Sequence, residues 1–152
     1  MLRIPLSSCL LLAAALLTGT PAAYGTNEVT PAVGTIKNSC APWDGPMLSA
    51  EIVLSRQISL RVGIWRDGLN KLQPDRTLTF LAAPSQQARN GYLQVCANNK
   101  PCQQVDGSLT VGAFERGKGL RGMITWSDPD KADVETTLPF ATDWQDFPAL
   151  CG

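Results

Sequence analysis

Residues 47–65 read MLSAEIVLSRQISLRVGIW, and they alternate twice. Leu48, Ala50, Ile52 and Leu54 share one face of the first half, with Ser49, Glu51 and Ser55 opposite. Ile58, Leu60, Val62 and Ile64 repeat the pattern in the second half. Successive side chains of a strand point to opposite faces, so a strand with one buried and one wet face carries a period of two.

The same alternation continues downstream. Its inward members are Leu78 and Phe80 in 77–82, Leu93 and Val95 in 91–97, and Leu109, Val111 and Ala113 in 108–115. They continue with Leu120, Ile124 and Trp126 in 120–127, and Val134, Leu138 and Phe140 in 134–141. Turn residues separate the runs: Arg66-Asp67-Gly68, Pro74-Asp75, Arg89-Asn90-Gly91, Asp106-Gly107, Gly117-Lys118-Gly119 and Asp128-Pro129-Asp130. No useful stretch shows a 3.6-residue apolar stripe. The pattern predicts an all-β, single-domain, antiparallel β-sandwich or small up-and-down barrel of about seven strands.

Residues 1–25, MLRIPLSSCLLLAAALLTGTPAAYG, have the layout of a secretory signal peptide. Arg3 precedes the apolar run Leu10–Leu17, and Ala23-Tyr24-Gly25 supplies a cleavage site. The run is too short to span a bilayer, which takes about 20 apolar residues. Leu6-Ser7-Ser8-Cys9 loosely resembles a lipobox, but it precedes the apolar run, the wrong place for lipidation. The expected organisation is therefore a removed signal peptide (1–25), an N-terminal arm and turn (26–46), and a β domain (47–152). Loss of Arg3 leaves 12 of the 13 Lys and Arg against 13 Asp and Glu, a net charge of −1. That balance disfavours nucleic acid and anionic lipid as partners, and stable membrane insertion is not expected.

Cys9 leaves with the signal, and an exported domain with the four remaining cysteines is expected to hold two disulfides. Cys96 and Cys102 flank a tight turn, which leaves Cys40 and Cys151 to pin the two ends together. Four cysteines allow three pairings, and spacing alone does not choose between them. An all-thiolate zinc site is the competing use, but no C-x-x-C pair is present.

The chain contains no histidine. Ser-His-Asp, Cys-His and His-containing zinc sites are excluded, and no metal or cofactor is expected. Asp128, Asp130, Asp133 and Glu135 cluster without EF-hand spacing, so a solvated turn is expected rather than a Ca²⁺ loop. Glu51, Asp67, Asp75 and Glu115 could serve a hydrolase, but the sequence singles out no pair.

Aromatic residues are the other signal. Trp126 is in register with the core. Trp43 and Trp144 are expected to pack around a Cys40–Cys151 bridge. Trp65, Phe114 and Met123 fall on the wet side of their strands, which suits a partner-binding face. The reading that follows is a non-enzymatic periplasmic or secreted protein of the bacterial envelope. It would bind another envelope or secreted protein as an inhibitor, immunity or secretion-accessory factor. The alternatives are a module that stacks glycans or small ligands on Trp65, Tyr92 and Phe114, and a small carboxylate-dependent hydrolase. Whether those aromatics line a hollow or a flat face separates the first two readings.

Overall fold

The computed structural model describes residues 29–43, 45–83, 90–131 and 133–151. The expected signal peptide and the start of the arm, residues 1–28, lie outside them. The described residues form strands β1 (Ala32–Cys40), β2 (Pro46–Val53), β3 (Ile58–Ile64), β4 (Thr77–Phe80), β5 (Gly91–Ala97), β6 (Gln103–Gln104), β7 (Gly107–Glu115), β8 (Gly119–Ser127) and β9 (Glu135–Gln145). One short helix, α1 (Arg66–Leu69), follows β3. The chain is all-β, and its nine described strands make one sheet in the order β4-β7-β8-β9-β1-β2-β3-β5-β6. The architecture is a curled half-barrel rather than a seven-stranded sandwich.

The connections explain the curl. β6 lies at one edge and β7 is second from the other, yet only Val105 and Asp106 join them. Two residues span no more than about 7 Å, so the two edges are drawn together. Side chains bridge them: Asn90 Nδ2 donates to Thr79 O at 2.9 Å and Gln104 Nε2 donates to Leu81 O at 2.9 Å. These bonds occupy edge groups that would otherwise be open to pairing with another chain.

The inner face is one continuous apolar cluster, with Phe80, Phe140, Ile52, Leu60, Leu93 and Ile124 fully buried. Burying each such side chain stabilises by about 1.5–3 kcal/mol. The expected inward positions of β2, β3, β4 and β8 all face this core, save at the strand ends.

Three departures have local causes. Ala32–Cys40, read as arm and turn, is β1, and it lies mid-sheet between antiparallel β2 and parallel β9. Its inward positions include Gly34, where an added Cβ would lie 2.1 Å from the Glu51 carbonyl oxygen. An interior strand that needs glycine at a close approach loses the apolar signal a reader looks for. In β7, a bulge between Val111 and Ala113 shifts the register by one residue. Ala113 therefore turns outward, and Phe114 packs against the core. Finally, Val134 lies in the turn before β9, where it is exposed and its carbonyl accepts from Asp128 N.

Two disulfides are present, Cys40–Cys151 and Cys96–Cys102, with sequence separations of 111 and 6. The parallel pairing of β1 with β9 brings Lys37 beside Gln145, so both strands run toward the end where Cys40 meets Cys151. In the chain-entropy description the long loop stabilises by about 5 kcal/mol and the short one by about 2 kcal/mol. Denaturant melts of Cys40→Ser/Cys151→Ser and Cys96→Ser/Cys102→Ser should show the larger loss in the first. A larger loss in the second would overturn the entropy assignment.

Candidate functional site: an aromatic ridge on the outer sheet face

On β3 the outward positions are Ser59, Arg61 and Gly63, and Trp65 follows the strand. Register places Gly63 directly opposite Tyr92 of β5. A Cβ on Gly63 would lie 2.2 Å from the Tyr92 ring. Only glycine lets the phenol ring lie down across β3 at this point. Trp65 is fixed at the strand end by its backbone, whose N–H donates to Asn90 O at 2.9 Å and whose carbonyl accepts from Leu69 N at 2.8 Å. Asn90 is itself buried, and its Oδ1 accepts from Lys71 Nζ at 2.9 Å.

Trp43 completes the group from the β1–β2 connection, a loop closed by Ala41 N donating to Gly45 O at 2.8 Å. Its ring meets Trp65 at 4.4 Å and 76°, and Trp65 meets Tyr92 at 6.4 Å and 63°. Edge-to-face contacts of this kind contribute about 0.5–1.5 kcal/mol beyond the area they bury. Trp43 nevertheless keeps 59 % of its surface exposed. The three rings make a ridge on the convex side of the sheet. Steeply inclined rings give no coplanar platform of the sort a sugar ring stacks on.

Arg61 borders the ridge, with Nε 3.8 Å from Glu51 Oε1 and Nη1 3.8 Å from Cys102 Sγ. Burial pushes the Tyr92 phenol above its ordinary range, and the Arg61 cation opposes that shift. Trp65 Nε1 is buried and has no acceptor among the described residues. A buried donor without a partner is costly.

The three residues expected to form a binding face are not brought together. Trp65 is in the ridge. Phe114, expected to face outward, is turned inward by the β7 bulge against a small cavity of about 220 Å³ shared with Leu48, Leu69 and Leu72. Met123 is outward on β8 and 42 % exposed, but its cross-strand neighbours are Thr110 and Pro139. Trp43, expected to pack around the Cys40–Cys151 bridge, instead packs on Trp65. Arg61 carries no motif in the sequence, and its only signal there is an outward register on β3 two residues from Gly63. Trp144 is half-buried against the core, and its Nε1 donates to Asp146 Oδ1 at 3.1 Å.

The carboxylates are dispersed. Glu51 pairs with Arg61 and accepts from Ser59 Oγ at 3.2 Å, and Glu115 pairs with Lys118 at 2.8 Å. Asp67 lies in α1, and Asp75 occupies a turn with φ of 64°. Asp128 is held below the usual carboxylate range, first by the Asp130 N–H and then by Lys131. Among the described residues no group of three or more His, Cys, Asp or Glu is placed to hold a metal ion. No protein family, curated protein or solved structure matches the chain.

Two outcomes follow from the Tyr92 environment. A phenol whose folded pKa is raised contributes stability that is present below the ordinary value of 10.0 and is lost as pH rises past it. Urea melts from neutral pH to about pH 11, taken relative to Tyr92→Phe, should show the wild type losing more stability at the alkaline end. Gly63→Ala should displace the Tyr92 ring and change the near-ultraviolet circular dichroism of the ridge. An unchanged spectrum would mean that Tyr92 does not rest on Gly63.

Proposed function

We propose that this is an exported, non-enzymatic binding protein that engages a protein partner of the cell envelope or medium through the ridge of Trp43, Trp65 and Tyr92, bordered by Arg61. The carrying observation is the position of Trp43, more than half exposed on the convex side of the sheet yet braced edge-on by Trp65. Large exposed apolar side chains on a rigid frame mark contact surfaces, and Trp, Tyr and Arg are the types that dominate binding hot spots. Such a ridge suits insertion into a pocket on a partner. The inclination of its rings disfavours the glycan-stacking alternative. Two disulfides fit an oxidising, non-cytoplasmic compartment. They also support an inhibitor-like or accessory role, in which the binding surface is set before the partner arrives and less ordering entropy is lost on association.

The test pairs stability with capture. Trp43→Ala removes a mostly exposed ring and should cost about 1 kcal/mol of stability or less. The same change should weaken partner binding by about 30-fold, equivalent to ~2 kcal/mol. Immobilised wild-type and variant protein are compared for capture from envelope extract, with thermal melts alongside. A protein retained by wild type and lost by both Trp43→Ala and Arg61→Glu, with normal melts, supports the reading. Equal capture by all three overturns it, and retention on a polysaccharide column that Trp43→Ala abolishes would favour the glycan module.

A further inference from the structure

The inner face of the half-barrel ends differently at its two mouths. At one, α1 and the residues after it bring Leu69 and Leu72 against Leu48 and Phe114. At the other, apolar side chains run past the core to the surface. Leu54 and Val95 are half-buried, Ile58 is 39 % exposed, and Trp126 borders the same hollow, a cleft of about 320 Å³. Apolar hollows of about 300–1,000 Å³ at barrel mouths are where small ligands bind, and this one is at the bottom of that range.

Three connections frame the cleft, and each is fixed. The β2–β3 turn is organised by Ser55 Oγ, which accepts from Gln57 N and Ile58 N, both at 3.1 Å. The β5–β6 loop is closed by Cys96–Cys102 and tied to that turn by Asn98, whose N–H donates to Gln57 O at 2.9 Å and whose side chain donates to Arg56 O at 3.2 Å. The β8–β9 turn is held by Asp128 Oδ1, which accepts from Asp130 N at 2.9 Å. On the rim, Lys131 is paired with Asp128 at 3.2 Å. Lys100, from the disulfide-closed loop, and Asp130, from the β8–β9 turn, also line the cleft. Among the described residues neither is in an ion pair.

We infer that this mouth binds a single-chain zwitterionic amphiphile. Its alkyl chain lies on Leu54, Ile58, Val95 and Trp126, its phosphodiester anion meets Lys100, and its ammonium meets Asp130. The small volume admits one chain, and the opposed rim charges match a headgroup that carries both signs. Lysophospholipids and alkylphosphocholines share this chemistry. The site is separate from the aromatic ridge and does not depend on it.

Isothermal titration of the mature, oxidised protein with dodecylphosphocholine, below its micelle concentration, tests the assignment. Saturable one-to-one binding is expected, weaker for dodecyl maltoside and weakest for dodecyltrimethylammonium. Lysophosphatidylcholine should compete for the same site, and phosphocholine alone should not. Lys100→Glu and Asp130→Lys, both surface changes, should each lower dodecylphosphocholine affinity by about fivefold. They should leave dodecyl maltoside unaffected, and the double charge exchange should restore part of the loss. Ile58→Asp should abolish binding of all three alkyl probes, and Trp43→Ala should change none. No saturable binding, equal affinity for the maltoside, or indifference to both charge variants would each overturn the proposal.

Discussion

The parallel seam between β1 and β9 is the constraint on which the sheet depends. On one side of it, β9, β8, β7 and β4 pair in an antiparallel run. On the other, β1, β2, β3, β5 and β6 do the same. The six register positions from Ala32↔Phe140 to Lys37↔Gln145 join the two runs into one sheet. Parallel pairs are slightly less stable per residue than antiparallel ones, and this pair joins segments about a hundred residues apart. Cys40–Cys151 closes the end of the seam, which is why a long-range crosslink sits here rather than at any hairpin. Ile36 and Trp144 face each other across it, one fully buried and the other half-buried on the core.

The seam also positions the proposed binding ridge. Cys40 ends β1, and three residues later Trp43 reaches the outer face, where Trp65 and Tyr92 receive it. A loop anchored by a disulfide behind it and by β2 ahead of it has few alternatives, so an exposed indole is presented with little conformational freedom to lose. Asn90 fixes the other side of the ridge, joining the end of β3, the residues after α1 and the edge strand β4 through three hydrogen bonds. The three rings thus come from one antiparallel run, and Asn90 ties them to the edge strand of the other.

Much of the fold was legible because most strands carry their burial in alternation. Leu48, Ala50 and Ile52, then Leu60, Val62 and Ile64, face inward as their spacing requires. Two disulfides were expected from the even cysteine count, but the choice of Cys40–Cys151 with Cys96–Cys102 among the three possible pairings comes from the structure, because spacing alone leaves it open. What escaped notice did so for physical reasons. β1 shows little alternation to a reader because it inserts only Ile36 deeply into the core and Gly34 leaves its neighbouring inward position without a side chain. The β7 bulge inserts one residue, and a single insertion inverts every face assignment after it, so Ala113 and Phe114 exchanged places. The nine-stranded curl, as against seven strands in two layers, depends on the two-residue β6–β7 link, whose importance is invisible until the edges it joins are known. Of the proposed site, Trp65 could be read from its register. Trp43 could not, because loop residues carry no period and nearness in sequence to Cys40 pointed elsewhere.

The nesting of the two disulfides affects how the chain can be made. Cys96–Cys102 joins cysteines that are neighbours in sequence order, whereas Cys40 must pass over both to reach Cys151. A chain that enters an oxidising compartment amino-terminus first presents Cys40, Cys96 and Cys102 before Cys151 follows. Any bond that Cys40 makes in that interval is non-native and has to be reopened through thiolate attack and a mixed disulfide. The order that avoids such exchange closes Cys96–Cys102 first and leaves Cys40 free until Cys151 arrives, so the seam that secures the finished sheet is the last part of the chain to be crosslinked.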